Sequence, residues 1–313
     1  MASRTMLAAS FDDVDLLDLG KALITNKIQF PLLASPKIDG IRFTVIDGEA
    51  QSRSGKRLPN HHFQSLFQDH RLDGLDGEVV VGLDAACTNT TGGTLFNRTQ
   101  SAIMTTSGDP VISLHGFDYI KHPETSFAVR TYAAEQLVKE FDPVGMIVRY
   151  VEHKELRTPE EVVAYEEEAL LNGYEGIMLR SPSAPYKFGR STLKQQGLIK
   201  VKRFIDDEAT VVGFEALERN TNPIVRDAFG LAKRSSHKAG KIPYNLLGRL
   251  LVRHKRFGDF AIGSGFDVAT REEIWLNQAK YRNKIVTFKY QPHGTMDAPR
   301  APIFKGFRHA EDL

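Results

Sequence analysis

Beyond Phe204 the sequence changes period. Before it, runs with helical spacing alternate with strand-like runs; after it, nearly every apolar run reads as strand: EATVVGFEAL, LLGRLLVRH, GDFAIGSGF and KIVTFKYQP, with one short helix near 270–281. The first part therefore predicts an α+β domain. The second, about five strands in some 110 residues, predicts a small closed β-barrel. At 313 residues and 41% hydrophobic composition the chain is long enough to bury two cores, and the expected division is 1–204 and 205–313.

Charge divides at the same place. Residues 1–203 carry 23 Lys and Arg against 26 Asp and Glu, whereas residues 204–313 carry 18 against 13. Between Arg226 and Arg256 nine basic residues face a single acid, Asp227. Such a segment is either a solvated basic loop or a grip on a polyanion, for which nucleic acid is the usual candidate, and small barrels such as the OB fold commonly bind it. No apolar run reaches the ~18 residues of a membrane span. The start, MASRTMLAASFDDVD, turns acidic where a signal peptide would stay apolar, so a cytoplasmic protein with no membrane partner is expected. The lone Cys87 excludes a disulfide framework and a cysteine-rich zinc site.

Within the first part, FDDVDLLDLGKAL predicts a short helix, and IRFTVIDGEAQSRSG predicts a hairpin turning at Asp47-Gly48. LDGEVVVG (75–82), PVISLHGFDYI (110–120), YEGIMLRSP (174–182) and GLIKVKRF (197–204) read as strands. Helices are expected at 130–141 and 159–172, the latter with Thr158 as cap, Pro159 at its first position and Gly173 at its end.

One lysine in this frame has reactive potential. Lys37, in KIDGIR, attacks an electrophile only as the neutral amine, and an unperturbed pKa near 10.4 leaves about one in a thousand neutral near physiological pH. Neighbouring cations lower that pKa and carboxylates raise it, so Asp39 argues against reactivity while Arg42 and the pair Lys200 and Lys202 argue for it. Lys200 and Lys202 share one strand face, and two ammoniums side by side suit an anion such as a phosphate chain, although a solvated edge strand gives the same spacing. Glu78 and Glu175, at the mouths of apolar strands, are able to bind a divalent metal or a ribose hydroxyl, or simply to cap turns.

The ordered set K-x-D-G-x-R, R-x-G, D-G-E, F-D-Y, E-G-x-M and K-x-K resembles the covalent nucleotidyltransferases, and within them the short viral type of ATP-dependent DNA ligase, from Lys37 to Arg308. The resemblance implies an ATP-grasp-like nucleotidyltransferase domain of antiparallel sheets with helices, followed by an OB-fold domain. It implies ATP as adenylate donor, Mg²⁺ as metal, and nicked duplex DNA as partner of a monomer. By similarity Lys37 takes AMP from ATP, passes it to a 5′-phosphate, and the adjacent 3′-hydroxyl displaces it. Arg42 and Arg53 correspond to arginines near ribose and phosphate, Glu78 to a ribose or metal carboxylate, Phe117 to the aromatic on adenine, and Glu175 to a metal ligand. Lys200 and Lys202 correspond to the lysines on the α-phosphate, and Ser35, Pro36 and Ile38 to an adenine rim. In the second domain Arg300 and Arg308 of PRAPIFKGFR correspond to the pyrophosphate-orienting motif, although RHAEDL follows where the family often has Asp-Lys. Lys233, Arg234, Lys238 and Lys241 lie where such a ligase grips DNA. Only 36 residues precede Lys37, so the expectation is a minimal ligase that clamps DNA with two domains and the basic insertion.

RNA ligases and mRNA capping guanylyltransferases use the same lysine chemistry, and a non-catalytic OB protein needs only the basic segment. EGIMLR, IKVK and IGSGF favour the DNA ligase over capping. The intact lysine, acids and K-x-K weigh against a pure binding module.

Overall fold

A computed structural model describes residues 5–11, 18–86, 94–226, 232–235, 237–292, 295 and 297–308. Cys87 and the start of the predicted first helix lie outside these residues. The chain divides into two compact units between Arg203 and Phe204. No helix among the described residues is long and apolar enough to cross a membrane.

The first unit holds two five-stranded sheets. One runs in the order Ala9–Ser10, Ile199–Val201, Ile177–Arg180, Leu32–Pro36, Lys154–Leu156. Its apolar face is covered by the helices Leu19–Thr25 and Pro159–Leu171, which bury Leu23 and Val162 against Leu32, Ile177 and Val201. The other runs Glu49–Ser52, Ile41–Ile46, Leu75–Val81, Ile112–Tyr119, Val148–Tyr150. Phe63, Ile103 and Val138, from three helices, pack on it.

Local signals account for much of this. Thr158 accepts from the Glu161 N–H at the start of the second covering helix, Pro159 and two acids fill its first turn, and Gly173 leaves it with φ 84°. Asp47 and Gly48 turn the hairpin with φ of 50° and 71°, the pair of positive values that a two-residue turn of this hand requires. The helix expected at 130–141 starts earlier, at Phe127, because Ser126 caps it by accepting from the Val129 N–H.

The second unit is a five-stranded sheet in the order Gly258–Ile262, Lys241–His254, Ile205–Asn220, Ile285–Gln291, Arg300–Phe307, around a core of Val211, Leu250, Phe288 and their neighbours. Among the described residues its ladder does not close. The two ends approach through the isolated bridge Ser264–Ile303, and register shifts at Thr287/Phe288 and Lys289/Gln291 bend the last pairing away from a continuous ladder. The closed barrel expected from the strand count is thus, in hydrogen-bond terms, an open sheet. A short ribbon, Ile224–Arg226 with Ala232–Arg234, projects from the long strand pair.

Candidate active site

Three adjacent strands bring together residues far apart in sequence. Ile177 pairs with Pro36 on one side and Val201 on the other. One residue further along, the Lys37 N–H donates to the Gly176 carbonyl at 2.8 Å and the Glu175 N–H to the Lys37 carbonyl at 3.2 Å. Lys37, Glu175 and Lys202 therefore leave the same end of the sheet. The Lys37 ammonium donates to Glu175 Oε2, and Lys202 Nζ donates to Oε1 of the same carboxylate at 3.1 Å.

The chain then crosses from this sheet to the other between Lys37 and Ile41. Gly40 makes the crossing possible: a Cβ there would stand 2.3 Å from the Val79 carbonyl oxygen and 2.9 Å from Glu78 Cγ. The glycine of K-x-D-G is a close-approach residue. In the second sheet Arg42 lies opposite Glu78. Phe117 is the extra residue of a β-bulge, since Asp76 pairs with Asp118 and Gly77 with Gly116.

Both sheets line one cleft of about 320 Å³. Its walls include Ser35, Pro36, Lys37, Ile38, Arg42, Arg53, Glu78, Phe117, Lys200 and Lys202, and Glu175 is joined to it through the two lysines. Arg300 and Arg308 belong to the second unit, where Arg308 pairs with Glu208.

The electrostatics settle a balance that the sequence left open for Lys37. Burial is the largest influence and pulls its pKa down, but Glu175, Glu78 and Asp39 together outweigh it and leave the amine above its ordinary value. Arg42 supplies no free cation nearby. Its Nε and Nη2 donate to Asp76 at 2.9 and 2.6 Å, and its Nη1 donates to the Met6 carbonyl at 2.6 Å. The amine held low is Lys200, by burial and then by Lys202 and Lys37. Burial pushes Glu175 up, yet Lys37 and Lys202 hold it down at about 2. Glu78 is pushed up to about 7, chiefly by burial, against the pull of Lys37 and Arg42.

Without nucleotide, then, Lys37 is a parked ammonium. Removing the Glu175 charge removes its main stabiliser, so Glu175→Gln is expected to lower the Lys37 pKa and raise its reactivity. While the ammonium dominates, lowering that pKa by about one raises the neutral fraction about ten-fold. Reductive methylation of nucleotide-free protein at mildly alkaline pH, read peptide by peptide with exposed Lys255 as internal reference, measures this. Unchanged or slower labelling of Lys37 would contradict the assignment.

Glu78 also bears on metal binding. Among the described residues no group of three or more His, Cys, Asp or Glu gathers as a metal cage. Mg²⁺, however, is commonly held by one or two carboxylates with phosphate oxygens and water. A cleft carboxylate whose pKa stands near 7 lacks enough positive charge from the protein alone, and it fits such an ion.

Sequence reasoning missed Arg180 and Arg190, which also line the cleft. Arg180 is 3% exposed, sits 5.0 Å from the Phe117 ring centroid, and has Nη1 3.4 Å from His153 Nε2. Burial, then Arg180, lowers His153 to about 3, so this imidazole is neutral near physiological pH. The signal for Arg180 was present: it follows Met178 at strand spacing, and Met178 lines the same cleft.

The family model described as "ATP dependent DNA ligase domain" matches residues 5–202, and that described as "DNA ligase OB-like domain" matches residues 240–308. The chain belongs to the ATP-dependent DNA ligases. Among solved structures the ligase is similar to Chlorella virus DNA ligase-adenylate, at 30% identity over 98% of this chain and 100% of that chain, with a TM-score of 0.52. A second crystal structure of that adenylate gives 31% identity, full coverage of both chains and 0.53. A Lig E DNA ligase, at 22% identity, 98% and 100% coverage and a TM-score of 0.64, shares the fold. No curated protein matches the sequence. The ligase thus combines a nucleotidyltransferase domain with an OB-like domain, uses ATP as adenylate donor and acts on DNA.

Proposed function

We propose that the cleft is the adenylation site of this ligase, with Lys37 as nucleophile, in a unit spanning 1–204, and that the unit spanning 205–313 engages a nick in duplex DNA. The observation that carries the reading is the shared carboxylate: Lys37 and Lys202 meet on Glu175 at the rim of a cleft also lined by Lys200, Glu78 and Phe117. A phosphate entering between the lysines competes for the cations that Glu175 now holds.

Once deprotonated, the Lys37 amine forms a bond to the α-phosphorus of ATP as the bond from that phosphorus to the bridging oxygen breaks. Pyrophosphate leaves with the electron pair, and the amine's remaining extra proton goes to solvent. Lys200 and Lys202 neutralise charge on the transferring phosphoryl group. The Phe117 ring stacks on adenine, whose edge meets Ser35, Pro36 and Ile38; Arg53 faces ribose and phosphate, and Arg42, held by Asp76 and the Met6 carbonyl, fills the wall beneath them rather than donating a free charge; Arg300 and Arg308 orient the pyrophosphate. Glu78 and Glu175 would hold Mg²⁺, which supplies charge neutralisation on phosphate oxygens when bound. A DNA 5′-phosphate oxygen then bonds to the adenylate phosphorus as its bond to the Lys37 nitrogen breaks, and the nitrogen takes a proton from solvent. The 3′-hydroxyl oxygen next attacks the 5′-phosphorus, losing its proton to solvent, as the bond from that phosphorus to the AMP phosphate oxygen breaks and AMP leaves with the electron pair.

The test is covalent labelling followed by transfer. The expected result is alkali-stable, acid-labile label from ATP but not GTP on the Lys37 peptide, chased onto a nicked DNA duplex and then sealed, by a protein that elutes as a monomer. Label from GTP, or sealing confined to RNA strands, overturns the DNA ligase assignment; label on a peptide other than that of Lys37 overturns the nucleophile.

The basic segment is assigned to the DNA backbone, with a qualification that its sequence did not contain. Arg249, Arg253 and Lys241 pair across strands with Glu215, Asp259 and Glu218. Arg234 donates to the Asn220 and Asn222 carbonyls at 2.9 and 3.2 Å, so it also pins the ribbon. The side chain of Lys233 lies outside the described residues. Replacing Lys233, Lys238 and Lys241 by Gln is expected to weaken nick binding and flatten its salt dependence by about 0.9 in logarithmic slope per lost phosphate contact, with adenylation unchanged. Nick-binding titrations at several salt concentrations measure it, and an unchanged slope removes these lysines from the interface.

A further inference from the structure

The strand Ile199–Val201 that delivers the cleft lysines is only three residues long, and Lys202 lies just beyond its last ladder pair, Ile177–Val201. Backbone pairing therefore ends before the lysine that Glu175 holds. Side chains along this segment alternate. Lys200 and Lys202 face the cleft, while Ile199 and Val201 are fully buried in the core shared with the Pro159–Leu171 helix. Arg203, next on the core side, reaches that same helix. Its Nε donates to Glu166 Oε1 and Oε2 at 2.9 and 3.0 Å and its Nη2 to Oε2 at 2.5 Å. The Glu166 carboxylate is completely buried, and Arg203 is about one-third exposed.

A buried carboxylate met by a two-armed guanidinium has one low-energy geometry, and breaking such a pair is costly because it strands a charge. The pair also sits at a junction, since the first unit ends at Arg203 and the second begins at Phe204. We propose that Arg203 and Glu166 are a positioning pair for Lys202: they clamp the chain immediately after the lysine, holding its ammonium toward Glu175 and the cleft where strand pairing has ended. Strain arriving along the chain from Phe204 then meets a fixed point before it reaches the lysine. The inference rests on the phosphate role assigned to Lys202 above.

The test is a mutant cycle read by single-turnover self-adenylation. Replacing both partners by apolar groups, Glu166→Leu with Arg203→Met, avoids a stranded charge and is expected to keep the melting temperature near that of the parent. With Lys202 present, this replacement should lower the rate constant at saturating ATP by up to about a hundred-fold, with little change in the half-saturating ATP concentration. In a Lys202→Ala background it should lower the rate no further, because the pair acts through that lysine. If the pair replacement unfolds the protein, Arg203→Lys, which keeps the charge but not the two-armed contact, is read through the same cycle. No effect with Lys202 present, or an equal loss in both backgrounds, overturns the positioning role. A silent Lys202→Ala overturns instead the phosphate role of Lys202, and the inference with it.

Discussion

Lys37→Arg is expected to give a folded protein that takes no label from ATP. Arginine stays protonated at any working pH, so it has no lone pair to offer phosphorus. It does retain a cation for Glu175, which is only 5% exposed and already shared with Lys202. The substitution thus removes the nucleophile while sparing the ion pairs at the sheet end. A loss on the order of a million-fold is expected in self-adenylation, the scale that follows when an enzyme loses its nucleophile. The same variant should still join a nick whose 5′-phosphate already carries AMP, because Lys37 forms no bond in that step. Lys37→Ala is the harsher change, leaving Glu175 with Lys202 as the cation facing its other oxygen. Labelling of Lys37→Arg at even a hundredth of the parental rate would place the nucleophile elsewhere.

The parts of the ligase that were readable from sequence depend on near neighbours. Thr158, Pro159 and Gly173 fix a helix within one stretch, Asp47-Gly48 fixes a hairpin, and the spacing of Lys200 and Lys202 fixes a shared face. The parts that were not readable depend on distant ones. Arg42 is committed to Asp76, 34 residues away, which no local pattern announces. Phe117 departs from simple strand alternation because a bulge opposite Asp76 and Gly77 leaves it without a ladder partner. The sign of the Lys37 shift required three carboxylates from three segments to be summed against burial, whereas the sequence offered only Asp39 on one side and three cations on the other. Likewise the basic segment lost part of its charge to acids on neighbouring strands. Residue types and order named much of the cleft lining but not Arg180 or Arg190; its charge balance was set by pairings across the sheets.

The strongest structural prediction concerns the glycine after Glu175. Gly176 has φ of 147°, a conformation that side-chain-bearing residues rarely adopt, and a Cβ there would lie 2.1 Å from the Val201 carbonyl oxygen and 3.2 Å from Lys202 Cα. The obstacle is backbone, so no side chain can swing aside to relieve it. Room has to come from moving the segment that carries Lys202, at the point where the Lys37 N–H donates to the Gly176 carbonyl and the Glu175 N–H donates to the Lys37 carbonyl. Gly82 supplies the matching control: its φ is 89°, but a Cβ would meet nothing within 4 Å. Gly82→Ala should therefore show conformational strain alone, about 1–3 kcal/mol, which lowers the melting temperature by roughly 2–4 °C per kcal/mol for a unit of this size. It should keep self-adenylation intact. Gly176→Ala adds the collision to the strain, so it should melt lower than Gly82→Ala and label with ATP at a rate reduced at least about a hundred-fold, since Lys202 and the Lys37–Glu175 pair are displaced together. Equal melting of the two variants with normal labelling of Gly176→Ala would mean that the strand relaxes without moving its lysine, and that close approach at Gly176 does not set the geometry of the cleft.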